Sequence, residues 1–290
     1  DAFTLTGDCD IDGSITVTSG TIDVDGVFDA TGGFVTFTGA GNLTLDSTVT
    51  SLGTLTDDAG KVTYNGATSQ TIVLDDYYNL KASDAAGTKT LGGAVTVAGA
   101  LTIDTGVTVA MGANTLVVTG ASNIDGTLDV AGSTLTLTGA SAVGGAITVN
   151  TGTVDANGTF DATGGAVTFT GAGNLQLAGV VASLGALTDS DFGTVTYDAN
   201  GDQAIVSDDY VNLIAGGGAG TKTLAGVVTV AGGFTIDTGV TTAMGANNLT
   251  VTGATTIPGA VTITTATLDA NGTFDATGGT ITFTEAGNLN

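Results

Sequence analysis

The clearest shortage in this 290-residue chain is positive charge. Arginine and histidine are absent, and four lysines stand against 28 acidic residues, which gives a formal net charge of −24. Proteins that bind nucleic acid use lysine and arginine to neutralise phosphates, and anionic lipid selects the same residues. The composition therefore predicts a protein that binds neither nucleic acid nor a membrane, and whose surface attracts cations.

Cysteine, proline and long apolar runs are also scarce. Cys9 is the one cysteine, so no internal disulfide can form. No run approaches the roughly 20 apolar residues that a membrane helix needs. No charged segment followed by an apolar run precedes Asp1, so we expect a processed or excised piece of a longer chain. The few lysines offer few sites to trypsin-like proteases, which suits an extracellular or cell-surface location.

The chain is rich in one repeated stretch. Residues 6–39, 138–171 and 252–285 are related, and each contains the block FDATGG, which begins at Phe28, Phe160 and Phe274. A recurring block of this kind is typical of stacked repeats rather than of one globular core. The sequence predicts one continuous β-solenoid over residues 1–290, with internal units 6–137, 138–251 and a truncated third unit, 252–290.

The spacing of the repeats also predicts the length of one coil. Gly120 lies 40 residues before Phe160, whereas Gly253 lies only 21 residues before Phe274, so the third copy lacks a segment equivalent to 121–139. A solenoid tolerates the loss of a whole coil, because each coil contacts only its neighbours. We therefore expect coils of about 19 residues.

Short apolar alternations predict the strands. Apolar residues alternate with threonine over three or four residues and are separated by glycine-rich turns, and no helical periodicity occurs. Three such strands per coil predict an all-β fold, a single-stranded parallel β-helix, with a right-handed coil. The alternation in the three copies predicts one inward face and one outward face. The predicted buried residues are Val35, Phe37, Val167, Phe169, Ile281 and Phe283, and Thr36, Thr168 and Thr282 are predicted to point outward.

The pattern resembles the repeats of secreted adhesins of the filamentous-haemagglutinin type. The segments YNG…QTIVLDDYYNL…GTKTL and VTVAGALTIDTGVTVAMGANTLVVTG look like repeats of very large bacterial surface proteins, and the resemblance extends over nearly the whole chain. It implies a secreted right-handed β-helix that serves as a stalk or fibre. It assigns no catalytic residue.

Acidic residues supply the candidate metal ligands. Asp8, Asp10 and Asp12 match the start of a calcium loop of the D-x-D-x-D-G type, although the twelfth position of that loop is Ser19 rather than an acid. The adjacent pairs Asp75-Asp76 and Asp208-Asp209 are further candidates for binding cations. Calcium is thus the one cofactor that the sequence suggests.

The repeats argue against an enzyme. A catalytic site is normally encoded once, whereas these acids recur with the repeat, and no arginine is present to act as the base of a pectate-lyase-like reaction. The sequence predicts a non-catalytic, extracellular structural protein that stacks head to tail with copies of itself. The alternatives are a carbohydrate-binding or carbohydrate-cleaving β-helix, with cell-surface glycans as partners, and an ice-binding solenoid with threonine ladders.

Overall fold

The computed structural model describes residues 2–57, 59–84, 87–189 and 192–290. These residues form 44 strands and no helix, which confirms the all-β prediction. They fall into two compact units, unit 1 (residues 1–148) and unit 2 (residues 149–290). Each unit is a parallel β-solenoid in which most strands pair with the strand three positions further along the chain.

Unit 1 contains three rows of strands, numbered here in chain order. The first row is β1 (Ala2–Leu5), β4 (Thr21–Val24), β7 (Asn42–Leu45), β10 (Lys61–Tyr64), β13 (Asn79–Ala82), β16 (Leu101–Ile103), β19 (Ser122–Ile124) and β22 (Ser141–Val143). The second row is β2 (Cys9–Asp10), β5 (Phe28–Asp29), β8 (Val49–Ser51), β11 (Gln70–Ile72), β14 (Thr88–Leu91), β17 (Thr108–Ala110), β20 (Thr127–Ala131) and β23 (Ala146–Val149). The third row is β3 (Ser14–Val17), β6 (Phe34–Phe37), β9 (Thr54–Asp57), β12 (Asp76–Tyr77), β15 (Val95–Val97), β18 (Leu116–Val118) and β21 (Thr134–Leu137).

Unit 2 repeats this arrangement. Its first row is β24 (Thr153–Ala156), β27 (Asn174–Leu177), β30 (Thr194–Tyr197), β33 (Asn212–Ala215), β36 (Phe234–Ile236), β39 (Thr255–Thr256) and β42 (Phe274–Asp275). The second row is β25 (Phe160–Asp161), β28 (Val181–Ser183), β31 (Gln203–Ile205), β34 (Gly220–Leu224), β37 (Val240–Gly245), β40 (Ala260–Ile263) and β43 (Thr280–Phe283). The third row is β26 (Ala166–Phe169), β29 (Ala186–Asp189), β32 (Asp209–Tyr210), β35 (Val228–Val230), β38 (Leu249–Val251), β41 (Thr267–Ala270) and β44 (Asn288–Leu289).

The coils have the predicted length and three strands each. Ala2 pairs with Thr21, 19 residues later. Elsewhere the step is 18 residues, as between Lys61 and Asn79, or 21, as between Leu80 and Leu101. The turns differ in length, and the register also shifts by one residue in a few strand pairs, as between β5 and β8. The right-handed sense and the single continuous solenoid remain predictions.

Stacked apolar side chains fill the interior of each unit. In unit 1, for example, Leu43 pairs with Val62, which pairs with Leu80, and all three are buried. Each buried aliphatic side chain contributes roughly 1.5–3 kcal/mol relative to its exposed state. Like residues in successive coils therefore form continuous ladders, which stabilise each coil against the next.

The predicted burial is confirmed in the first two copies and wrong in the third, where neither Ile281 nor Phe283 is buried. Val35, Phe37, Val167 and Phe169 are buried. Phe283 is 48% exposed and Ile281 is only half-buried. The alternation is the same, but β43 pairs with β40 alone, so no following strand covers its side chains. On the opposite face, Thr36 and Thr168 are half-buried and Thr282 is exposed.

Candidate functional site

The predicted calcium loop forms the first turns of unit 1. Asp8 follows β1, and its Oδ1 accepts a hydrogen bond of 2.9 Å from the backbone N–H of Val27 in the next coil. Asp10 ends β2 with its side chain exposed, and Asp12 lies in the exposed turn that follows. At least one of the three carboxylates thus has a structural role, and calcium binding by this loop remains a prediction.

A different trio of carboxylates is gathered in unit 1. Asp23, Asp25 and Asp46 place one carboxylate oxygen each within 4.8 Å of the others, the one such group of three among the residues that the structure describes. Asn65 donates a 3.0 Å hydrogen bond from Nδ2 to Oδ1 of Asp46. Partial burial raises the pKa of Asp23, and the charges of Asp46 and Asp25 raise it further. This acidic cluster is a site of mutual repulsion.

The two aspartate pairs cap strands. The carboxylate of Asp75 accepts a 2.9 Å hydrogen bond from the backbone N–H of Asp76, whose own carboxylate accepts from Oγ1 of Thr96. Asp208 and Asp209 repeat this pattern with Thr229. Burial raises the pKa of Asp75 and of Asp208. The sequence predicts these pairs as candidate cation ligands, which stays a prediction, and it does not reveal the threonine hydroxyls that Asp76 and Asp209 bind.

Both pairs lie at a discontinuity that is the main irregularity of each unit. In unit 1 the coil β7–β9 and the next coil, β10–β12, pair through β7 and β10, but β8 does not pair with β11, nor β9 with β12. In unit 2 the pairing of β27 with β30 persists, whereas β28 and β31, and β29 and β32, are unpaired. We name this feature the ladder break. It leaves strand edges open on two of the three rows, and open edges need other partners for their backbone groups.

A buried glutamine side chain supplies some of those partners. Gln70 donates from Nε2 to the carbonyls of Leu45 and Ser47 at 2.8 and 2.6 Å, and its Oε1 accepts from the N–H of Gly66 at 2.7 Å. The amide therefore joins the two coils where backbone pairing is missing. Gln203 does the same in unit 2, with Leu177, Gly179 and Ala199.

A pair of buried tyrosines supplies further hydrogen-bond partners for backbone groups at the ladder break. The hydroxyls of Tyr64 and Tyr77 lie 2.9 Å apart. Tyr64 Oη accepts from the N–H of Val73 at 3.1 Å, and Tyr77 Oη donates to the carbonyl of Val73 at 2.8 Å. Both backbone groups of one residue are thus satisfied by side chains. Tyr197 and Tyr210 repeat the geometry around Val206. Burial raises the pKa of all four tyrosines.

A buried lysine completes the network in each unit. Lys89 is fully buried and donates from Nζ to the carbonyls of Gly66 and Thr68. Lys222, also fully buried, donates to Ala199 and Gly201 at 2.7 and 3.1 Å. Burial lowers the pKa of both ammonium groups. Carbonyl oxygens, rather than carboxylates, thus bind these lysines.

The repeated block FDATGG also proves to be structural. Asp29 accepts hydrogen bonds at Oδ1 from both the N–H and the hydroxyl of Thr31, which lowers its pKa. Asp161 and Asp275 make the same backbone contact with Thr163 and Thr277. The block therefore encodes a tight turn three times.

The network at the ladder break was accessible in part to sequence reasoning. Tyr64, Tyr77 and the GTKTL segment recur in both units, offset by 133 residues, and their polar recurrence in an irregular stretch is the available signal. Gln70 recurs as Gln203 in the same way, but the sequence pattern indicated no role for either glutamine. Alternation alone predicts which face a residue lies on, not which backbone group it binds.

Comparison of the chain with protein-family models, with curated proteins and with solved structures gives no match. In the portion that the structure describes, no helix is long and apolar enough to cross a membrane.

Proposed function

We propose that this chain is a non-catalytic structural segment of a secreted or cell-surface protein, in which stacked coils serve as a stalk or fibre. The observation that supports this proposal is the reuse of the acidic and polar side chains as structural parts. Asp29, Asp161 and Asp275 form the same turn, and Gln70 and Gln203 join the same coils. Residues that stabilise the same turn or the same pair of coils in every repeat extend the solenoid and do not form a single reactive centre.

The surface chemistry supports an extracellular location. Two of the four lysines are buried, so the exposed surface is even more acidic than the composition suggests. Buried lysines are also closed to trypsin-like proteases, which cleave extended, accessible segments. A strongly acidic surface keeps such a protein soluble and repels nucleic acid and anionic lipid.

Head-to-tail association of copies is the second part of the proposal. Phe3 in β1 and Phe283 in β43 are 62% and 48% exposed, although the structure buries the equivalents of Phe283 in inner coils. The outer edges of β1 and β43 each lack a strand partner among the described residues. Open edges and apolar side chains together suit pairing with a second copy, and a contact of this heterologous kind continues into a fibre.

Electron microscopy of the purified chain tests the proposal. We expect filaments of uniform width whose length increases with protein concentration. Phe283→Asp should shorten them, because it places a charge in the contact, whereas Val227→Asp, at an exposed position in the middle of unit 2, should leave them unchanged. Single particles of constant size at every concentration would contradict self-association.

A further inference from the structure

The ladder break opens a cleft on the surface of unit 1. One cavity of about 430 Å³ lies between β8 and β11, and a second, of about 350 Å³, shares Gly53, Leu74 and Asp75 with it. Ligand pockets in proteins begin at about 300 Å³. We name the combined space the unit 1 cleft. A stalk does not need an open cleft, so a role for the unit 1 cleft would be additional to the proposed structural function.

The lining offers both hydrogen-bond donors and acceptors. Thr50 and Thr71 are exposed and present hydroxyls from the two sides of the cleft. A hydroxyl both donates and accepts. Ile72 accepts a hydrogen bond from Gly92 in the following coil, so its neighbour Thr71 directs its backbone groups to the opposite side, into the cleft. A ligand that both donates and accepts matches this lining.

Charge restricts the ligand further. Asp75 lines both cavities, Asp76 lines the second, and no lysine lines either. An anionic ligand would be repelled. A simple ammonium ion would satisfy the carboxylates but cannot accept a hydrogen bond from the strand edges. A neutral polyhydroxyl ligand satisfies both kinds of group.

The cleft also has an apolar side. Leu74 is 64% exposed and stands between β11 and β12, whose Ile72 and Tyr77 are buried. An exposed aliphatic side chain beside hydroxyls and a carboxylate suits a ligand with one apolar and one polar surface, as a pyranose ring has. The arrangement places the apolar contact and the hydrogen-bonding groups within one cavity.

The width of the cleft disfavours an added peptide strand. A strand inserted between β8 and β11 would need about 9.6 Å between them, twice the usual strand spacing of about 4.8 Å. Cα atoms of the two strands approach within 8 Å, and β7 and β10 remain paired beside them. A peptide could enter only if the coils separated.

From these observations we propose that the unit 1 cleft binds a neutral saccharide. The hydroxyls of Thr50 and Thr71 and the carboxylate of Asp75 bind the sugar hydroxyls, and Leu74 packs against the apolar face of the ring.

Unit 2 provides a natural control. Thr50, Thr71 and Leu74 correspond in sequence to Ala182, Ala204 and Ser207. The ladder break of unit 2 keeps its glutamine, tyrosines and lysine, so the fold tolerates these smaller side chains. The cavity there, of about 330 Å³, lies beside Val180 and Asp202 and has no threonine in its lining. The saccharide site is thus assigned to unit 1 alone.

An oligosaccharide array, probed with the full chain, tests the proposal. The array carries neutral and uronic-acid oligosaccharides, and a set of basic peptides is spotted beside them. We expect binding to one or more neutral oligosaccharides and none to the uronic acids. The triple variant Thr50→Ala, Thr71→Ala and Leu74→Ser gives unit 1 the residues of unit 2, and it should weaken binding at least 10-fold with an unchanged melting temperature.

Three results would overturn the proposal. The first is an absence of binding to every neutral oligosaccharide, and the second is equal binding by the triple variant. The third is binding to the basic peptides instead, which would identify the cleft as a peptide site. Titration calorimetry with the best neutral oligosaccharide gives the stoichiometry, and one site per chain is expected.

Discussion

At the scale of single residues, close backbone approach decides which glycines are replaceable. A Cβ added to Gly33 would lie 2.2 Å from the carbonyl oxygen of Ile11, whereas one added to Gly13 would meet nothing within 4 Å. We expect Gly33→Ala to lower the free energy of unfolding by about 1–3 kcal/mol, because backbone atoms must shift. Gly13→Ala is the control and should change it by less than about 0.5 kcal/mol. Urea denaturation measures both, and equal midpoints would contradict the close contact.

The buried lysines give a second prediction at this scale. Lys89 and Lys222 are fully buried, whereas Lys61 and Lys81 are half-buried. An amine-reactive reagent should therefore label the latter two in the folded protein and all four lysines after denaturation, because the neutral amine must reach solvent to react. Mass spectrometry of the peptides locates the label. Labelling of Lys222 at the rate of Lys61 would show that the ammonium group is not enclosed.

At the scale of the element, the ladder break depends on side chains that replace backbone pairing. Gln70→Ala removes the side-chain partners of the Ser47 carbonyl and the Gly66 N–H, whereas the carbonyl of Leu45 keeps its hydrogen bond from the N–H of Asn65. We expect a loss of about 1–3 kcal/mol in the free energy of unfolding, the usual cost of unpaired buried polar groups. Thr71→Ala, at the exposed neighbouring position, is the matched control. Chemical denaturation that gave the same midpoint for both variants would rule out a bridging role for Gln70.

The same element predicts loss of stability at alkaline pH. Tyr64, Tyr77, Tyr197 and Tyr210 have pKa values raised by burial, so the folded state keeps protons that the unfolded state releases near pH 10. Their contribution to stability is complete below that pH and is lost as pH rises above it. Phenolate absorbance of the folded protein just above pH 10 should therefore be well below that of the denatured chain.

Tyr77→Phe and Tyr210→Phe provide the comparison. Each removes one ionisable group, so stability should fall less steeply with pH in the double variant than in the parent chain. Ionisation of several tyrosines while the far-ultraviolet circular dichroism stays native would refute the buried pairs.

At the scale of the whole molecule, excess negative charge opposes folding. With a net charge of −24 and two lysines buried, repulsion should weaken as salt shortens the screening length from about 30 Å at 0.01 M to about 3 Å at 1 M. We expect the melting temperature to rise over that range. Asp23→Asn should raise the melting temperature at low salt and reduce its dependence on salt, because Asp23 lies against Asp25 and Asp46. A midpoint independent of salt would contradict this account.

The sequence by itself determined the architecture of the coil. Period-two alternation assigned Val35 and Phe37 to the interior, since a one-residue slip of the strand would expose its apolar side chains. The missing segment 121–139 gave the length of one coil. These properties are local, so a short stretch of sequence contains all the information that they need.

Only the tertiary structure decided where the coils fail to pair. The roles of Gln70, Tyr64 and Lys89 depend on contacts between residues 4 to 25 positions apart, whose geometry no local pattern specifies. Phe283 has the same alternation as Phe37 but a different environment, because burial depends on the neighbouring coil and not on the strand. The unit 1 cleft likewise exists because two rows of strands separate while the third stays paired.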